Sequence, residues 1–328
     1  MIKRISILLL AMVPVALWAQ FAPAQDKPGT TAMHADSSAF VGWATGVEVV
    51  HGPMNIANPG LGVTGANYPD ENALGYPEGT FGVVCLGDGG MATLTFASPI
   101  CNGNGPDFAV FENGFANAVN PDSWALELAF VEVSSDGEHF FRFPAYSNTQ
   151  TTTQLGNGGT IDPSQIHNLA SKYGAMYGTP FDLDEVEDDP LLDKNRITHV
   201  RVVDVVGCLD PLYATYDCQG HMINDPWPTP FASSGFDLDA VGVIHDVEHH
   251  HGVAENTVED VAIYPNPAHD IVTVETQGRA SVQIFNAVGQ LMLTTEETVI
   301  NVSELPEGIY IVCIDMGDMN ITKRLIIK

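Results

Sequence analysis

Positive charge is what this chain lacks most. Of 328 residues only 12 are Lys or Arg, against 41 Asp or Glu, for a formal net charge of −29. Between Gln20 and Thr257 the basic residues are Lys27, Arg142, Lys172, Lys194, Arg196 and Arg201. With ten of the 41 acids in the C-terminal stretch, 31 remain in that same segment. Such a surface repels nucleic acid and anionic lipid headgroups. Long apolar runs are missing after the first twenty residues, so no later segment has the length to span a bilayer. There is no G-x-S-x-G elbow, no H-E-x-x-H and no phosphate-binding G-x-x-x-x-G-K-[ST] loop, so the common hydrolase, metalloprotease and nucleotidase signatures are absent. The chain has 5 cysteines, and none falls at a zinc-finger spacing.

What the chain does have is an export-type beginning and a long series of β patterns. Lys3 and Arg4 precede an apolar run from Ile5 to Trp18, followed by Ala19 and Gln20. That is a positive n-region, a short h-region and a small residue at a cleavage point, the form of a signal peptide over residues 1–19. Residues 20–38 are polar with scattered Pro and Gly and read as a flexible lead-in. From Phe40 onward, strand candidates fall at 81–87, 91–97, 107–113, 126–135, 198–207 and 236–244. Gly87–Gly90 and Asn102–Gly105 are turn clusters of the kind that join antiparallel strands. Asp162-Pro163-Ser164-Gln165 is a helix start, with Asp as cap and Pro at the first position, and leads into a short helix near Ile166–Tyr173. The expectation is an all-β chain. A large β-sandwich or jelly roll with one short helix covers 39–246, a linker 247–259, and a small Ig-like β-sandwich 260–328.

Strand alternation puts certain acids among apolar neighbours. Asp204 shares a face with Val200, Val202 and Val206; Glu112 follows Phe108 and Val110; Asp237 and Asp239 share a face with Val241 and Val243. Buried carboxylates need a partner, either a buried Arg or a bound cation. With so few bases, a cation is favoured, and carboxylate oxygens are the hard ligands calcium prefers. The expected calcium ligands are therefore Glu112, Asp204, Asp237 and Asp239. Arg142 and Arg201 remain as rival partners, and acids at strand ends facing water are the plain alternative.

Loop aromatics form the candidate ligand surface: Tyr177 and Phe181 in one Gly/Pro-broken stretch, and Tyr213, Tyr216 and Trp227 in another. Such rings can stack on sugars. Trp227 lies between prolines 226, 228 and 230, and can equally plug the end of a sandwich. His245, His249, His250 and His251, with Asp246 and Glu248, could grip a transition metal or belong to a solvated linker. Pairing of Cys85 with Cys101 and of Cys208 with Cys218 is expected in an exported protein, leaving Cys313 alone. Glu127 and Glu132, read on one strand at odd spacing, cannot form a catalytic pair.

The last segment opens with Tyr264-Pro265-Asn266-Pro267-Ala268. It continues through the hairpin Phe285-Asn286-x-x-Gly289-Gln290 and Leu305-x-x-Gly308-x-Tyr310, and ends in ITKRLIIK. These pieces, in this order, resemble the type A C-terminal sorting domain of type IX secretion. The resemblance implies that residues 260–328 engage that secretion machinery and that the cargo is secreted or displayed on the cell surface. Residues 70–245, with DFAVFENGF, AFVEVSSDGEHFFRFP and GFDLDAVGVI, resemble a family of bacterial cell-surface proteins. The strand FDLDAV is also similar to the last strand of galactose-binding-like sandwiches, which implies a structural calcium held by Asp237 or Asp239 with Glu112. The expected function is an exported binding or structural sandwich, calcium-stabilised and with glycan as its possible partner. A glycan hydrolase using loop acids near Asp182, Asp210 and Asp225, or a purely structural surface component, are the rivals.

Overall fold

The computed structural model describes residues 21–65, 68–120, 122–249, 262–275, 280–286, 289–315 and 320–328. The segment read as a signal peptide, His250, His251 and the rest of the expected linker beyond residue 249 lie outside the described residues. The chain divides into two compact units, a body up to His250 and a C-terminal unit from His251.

The body strands are β1 (Met33–His34), β2 (Gly42–Val50), β3 (Val84–Cys85), β4 (Met91–Ile100), β5 (Phe108–Glu112), β6 (Phe115–Ala116), β7 (Trp124–Ala125), β8 (Ala129–Ser134), β9 (Phe141–Arg142), β10 (Tyr146–Ser147), β11 (Ile166–His167), β12 (Tyr177–Phe181), β13 (Ile197–Asp204) and β14 (Asp237–Val243). Ten of them form one antiparallel sheet in the order β1-β12-β5-β14-β2-β4-β13-β8-β9, with β3 also on β14. Only Gly242–Trp43 and Val243–Gly42 pair across the β14–β2 joint. The two halves share one core: Leu94, Val131, Val200 and Val202 from one side pack with Phe108, Val110, Leu238 and Val241 from the other. This is a β-sandwich made by one sheet turning over on itself. Phe181 stacks on Phe108 at 5.5 Å and meets Phe143 edge-on at 5.0 Å, filling that core with offset aromatic pairs.

Strands β5 and β14 are buried along their whole length. One face is covered by the shared core and the other by a small cluster of Ala109, Phe111 and Ala240 under Phe40 and Trp43. The strand at 198–204 alternates as expected, with Val200, Val202 and Asp204 buried and the intervening residues half-buried.

Three expectations are corrected. The lead-in is not a free segment: Ala24 joins a core cluster with Trp124 and Leu128, Phe21 stacks on His167 at 5.1 Å, and β1 pairs with β12. The helix at Ile166–Tyr173 does not form. Asp162 does cap a turn, accepting from the Ser164 N–H at 2.9 Å, but only Pro163–Gln165 is helical, as a 3₁₀ turn. Beyond it Asn168 and Ser171 take positive φ of 51° and 63°, which ends any helix. Lys172 is turned inward, and its Nζ donates to the carbonyls of Pro163 (2.6 Å) and Ile166 (2.5 Å).

The third correction concerns the cysteines, all five of which are free thiols. Cys85 lies opposite Asp237 at one end of β14, while the Cys101 N–H donates to the carbonyl of His245 past its other end. Eight residues of strand separate those points by roughly 25 Å, beyond the reach of a disulfide. Cys208 is buried, with its Sγ accepting from the Asp210 N–H at 3.3 Å, whereas Cys218 is exposed.

The C-terminal unit has strands β15 (Ala262–Tyr264), β16 (Ile271–Glu275), β17 (Ser281–Asn286), β18 (Leu291–Thr295), β19 (Val299–Asn301), β20 (Gly308–Asp315) and β21 (Asn320–Ile327). They make a three-stranded sheet, β15-β16-β19, and a four-stranded sheet, β18-β17-β20-β21, around one core of Val272, Ile284, Val312 and Leu325. The motif residues have structural work. Asn266 donates to the Arg324 carbonyl at 2.6 Å and accepts from the Ile326 N–H at 2.9 Å, tying the opening turn to the last strand. Tyr310 is buried and its hydroxyl donates to the Pro306 carbonyl at 2.7 Å, a tyrosine-corner arrangement.

Candidate functional site

Where β5 ends and β14 begins, three carboxylates come together around a pocket of about 220 Å³: Glu112, Glu127 and Asp237. The sheet register explains two of them, because Glu112 pairs with Leu238, next to Asp237. Glu127 comes from the loop between β7 and β8. Asn113, Thr229 and Ser233 add neutral polar groups to the wall, and no Lys, Arg or His lines it.

Glu112 is 2% exposed, and its Oε2 accepts from the Gly114 N–H (2.7 Å) and the Ser171 hydroxyl (2.5 Å). Ser171 holds its left-handed backbone while making this bond, a form of local strain that clusters at functional sites. Asp237 is 8% exposed; Oδ2 accepts from Asn113 Nδ2 at 3.0 Å, Oδ1 has no nitrogen or oxygen donor, and the Cys85 thiol is the carboxyl's other hydrogen-bonding neighbour. A buried carboxylate oxygen without a donor is costly and marks a place for a counter-charge. Glu127 keeps some exposed surface because the pocket reaches it.

Burial, reinforced by Asp237, pushes the Glu112 carboxyl well above the usual range. Glu127 is pushed the same way by burial and then by Asp237 and Glu112. Asp237 rises to about 6 through burial. Behind the pocket, burial lifts Asp204 to about 8, with the charges of Asp88 and Asp237 adding, and Asp225 well above its usual value, with Asp204 adding.

The four expected calcium ligands therefore separate. Glu112 and Asp237 meet at the pocket. Asp204 is occupied by the backbone, accepting from the Gly89 N–H at 2.8 Å and the Phe236 N–H at 2.7 Å. Gly235, at φ 71°, allows that approach, since a Cβ there would stand 2.8 Å from Asp204 Oδ1. Asp239 accepts from the N–H groups of Glu78 and Gly79, both at 2.9 Å. The shared face expected for Asp237 and Asp239 is broken by a bulge: Leu238 pairs with Glu112 and Ala240 with Phe111, so Asp239 is the extra residue.

The expected ligand aromatics do not form one surface. Phe181 is 1% exposed and belongs to the core, which removes it from any ligand surface. Tyr177 stands edge-on to His34 at 4.9 Å on β12. Tyr213 is half-buried in a turn, its N–H donating to the Asp210 carbonyl. Tyr216 lines a different cleft beside Arg142 and Asp217. Trp227 donates from Nε1 to Asp88 Oδ2 at 2.9 Å, which anchors it to the body. Glu132 is bound to Arg142 (2.8 Å) and Arg201, so the rival Arg partners serve Glu132 and not the pocket acids. His245 pairs with Asp107 and His249 with Asp246. Among the described residues no group of three or more His, Cys, Asp or Glu side chains is placed to hold a metal ion. An ion in the pocket would draw on carboxylates together with amide, hydroxyl or backbone oxygens, a mixed oxygen set that suits calcium.

Sequence reasoning read Glu127 on a strand with Glu132 and Asp225 as a hydrolase loop acid, and missed both as members of this acid cluster. Both sit in loops, where no alternation marks a side chain as buried. Asp225 accepts from the Leu128 N–H at 2.9 Å, which holds the Glu127 loop against the body.

Fold and comparison together define an exported β-sandwich protein. Residues 262–328 match the family described as the secretion system C-terminal sorting domain. The chain thus carries a type IX sorting tail and is delivered to the cell surface or secreted. No helix among the described residues is long and apolar enough to cross a membrane. No curated protein matches the chain in sequence. Among solved structures it is similar to PorZ, a surface component of the type-IX secretion system of Porphyromonas gingivalis, at 14% identity and TM-score 0.20, over 73% of this chain and 35% of that one. It is also similar to a β-glucuronidase from Ruminococcus gnavus at 13% identity and TM-score 0.19, over 74% of this chain and 36% of that one. The chain thus spans about a third of either protein, and at these TM-scores neither likeness bears on function.

Proposed function

We propose that the exported body is a binding module whose ligand site is the pocket of Glu112, Glu127 and Asp237, and that calcium held there stabilises the fold. The observation that carries this reading is Asp237 Oδ1, buried with no nitrogen or oxygen donor and only the Cys85 thiol beside its carboxyl, in a pocket walled by two further acids and no base. A divalent cation supplies the missing counter-charge, and the neutral oxygens of the wall complete its coordination. Glycan is the ligand class this reading favours, because the pocket joins carboxylate and amide groups to exposed rings.

The rival hydrolase reading rests on Asp182, Asp210 and Asp225, each of which accepts from backbone. Asp182 caps a 3₁₀ turn through the Asp184 N–H, Asp210 accepts from the Leu212 N–H, and Asp225 from the Leu128 N–H. Asp182 and Asp210 fasten their own turns, and Asp225 fastens a segment distant in the chain.

Thermal unfolding in millimolar calcium and in excess EDTA tests the proposal. A higher midpoint with calcium is expected, lost on Asp237→Asn. An identical midpoint in both buffers overturns it.

A further inference from the structure

Along the loop that follows β10 the surface of this acidic body changes character. Two adjoining hollows there are lined almost wholly by neutral side chains. One, of about 390 Å³, holds Thr151, His221 and Met222; the other, of about 300 Å³, holds Leu155, Thr160, Ile161 and Gln165. Asn148 and Thr149 line both, so the hollows meet at those two residues. Each reaches the size at which small-molecule sites begin, roughly 300 Å³. Among the described residues that line them there is no Lys or Arg, and Asp162 is the one carboxylate. Its Oδ1 is already taken, accepting from the Ser164 N–H at 2.9 Å and the Ser164 hydroxyl at 2.8 Å. The hollows share no lining residue with the acid pocket.

The side-chain amides of Asn148 and Gln165 are half-buried, line the second hollow together, and make no hydrogen bond among the described residues. Neighbouring amides, by contrast, are spent on holding the loop still. Asn224, fully buried, donates from Nδ2 to the carbonyls of Gln150 (2.6 Å) and Thr153 (2.9 Å), and its N–H donates to Thr149 Oγ1 at 3.2 Å. Gln154 Nε2 donates to the Gly207 carbonyl at 2.8 Å. A loop fastened in this way loses little freedom when a ligand settles on it. A peptide cannot join here as an added strand. β11 covers one edge of β10, and on the other the Ser147 N–H donates to Asp217 Oδ2 and the Cys218 N–H to the Ala145 carbonyl, both at 3.0 Å.

These features select an uncharged ligand dense in hydroxyl groups. Anions meet a chain of net charge −29 with no base in the lining to pair with, and cations find no free carboxylate. An amide presents a donor and an acceptor side by side, which matches two neighbouring sugar hydroxyls. Leu155, Ile161 and Met222 add apolar patches for the C–H faces of the rings. We infer that the two hollows form a groove for a neutral glycan, with successive sugar units on either side of Asn148 and their hydroxyls bonded to Asn148, Gln165 and Thr151. No ion takes part, so this site is separate from the acid pocket and stands without the calcium reading.

Calorimetric titration of the full mature chain in EDTA tests the groove. The probes are the neutral trisaccharides cellotriose, mannotriose, xylotriose and N-acetylated chitotriose. Trigalacturonate, deacetylated chitotriose and a capped trialanine peptide serve as anionic, cationic and peptide controls. At least one neutral trisaccharide should bind, and none of the controls. Adding calcium should leave that affinity unchanged. In an Asn148→Ala/Gln165→Ala double variant the affinity should fall about tenfold or more, the loss of two hydrogen bonds. Those amides bond nothing within the described residues, so the variant should keep the native thermal midpoint. Thr151→Val, at an exposed position, is a second variant and should weaken binding in the same direction. Failure of every neutral trisaccharide to bind overturns the inference and leaves the calcium reading untouched. Binding that requires calcium and survives the double substitution places the sugar at the acid pocket and overturns the groove. Equal binding of the peptide, or of either charged trimer, overturns the neutral-glycan assignment.

Discussion

Replacing Asp237 by Asn should make the calcium-free protein more stable, although the residue is buried and native. Burial raises its carboxyl from 3.8 to about 6. That difference corresponds to about 3 kcal/mol favouring the protonated form in the folded state. The sign follows from linkage. An acid whose folded pKa is raised contributes its stability fully below the unfolded value and loses it as pH climbs through the folded value. The native Asp is therefore nearly neutral in effect at pH 4 and costs its full amount above about pH 6. Asn keeps the shape and accepts from Asn113 Nδ2 as before. In EDTA at pH 8 the variant should gain up to about 3 kcal/mol, a rise of roughly 6–12 °C in Tm for a domain of this size. At pH 4 the gain should vanish. In 10 mM calcium the gap should close to near zero. An ion bound at about 0.1 mM stabilises the native protein by roughly 2.7 kcal/mol, and the variant, lacking the ligand, gains little. Scanning calorimetry at the two pH values, with and without calcium, reads all four quantities. A variant no more stable than the native protein in EDTA at pH 8 would refute the argument that Asp237 holds an uncompensated charge.

Phe181→Ala should lower stability by about 3–5 kcal/mol in urea unfolding, as expected for a fully buried ring in an aromatic cluster; a change below 1 kcal/mol would return it to the ligand surface. In the native protein a maleimide should label Cys218 but not Cys85, Cys101 or Cys208, whose thiols burial pushes upward, and unfolding without reductant should expose all of them. An intact-mass deficit for a Cys85–Cys101 or Cys208–Cys218 bridge would contradict the free-thiol arrangement. Deleting residues 262–328 should retain the body inside the cell envelope, measured by fractionation and surface proteolysis. Surface display of the truncated chain would mean that the tail is not its export signal.

The parts of the fold that were legible are those whose signal is local. Strands at 91–100, 108–112, 197–204 and 237–243 announce themselves through two-residue alternation or short apolar runs between turns. β2 escaped because Gly42 and Gly46 blur its pattern, and its exposure follows no clean face. β12 escaped because Gly178 and Pro180 read as a loop, although both take part in pairing with neighbouring strands. The cap at Asp162 was real, but a cap begins a helix only if the following backbone can stay helical, and here Ser171 and Lys172 turn inward to bond Glu112 and two carbonyls.

Taken alone, the sequence decided the class of structure, the exported destination and the burial of Glu112, Asp204 and Asp237. These depend on strand periodicity and on motifs whose residues are neighbours in the chain. Only the tertiary structure decided which acids share a pocket. A single bulge at Asp239 diverts one carboxylate to a loop, and backbone donors occupy Asp204. A loop 90 residues or more from β14 in the chain brings in Glu127, while Phe181, a ring that looked available, is core. Alternation shows which side of a strand a carboxylate leaves from; what waits on that side is set by contacts between distant segments.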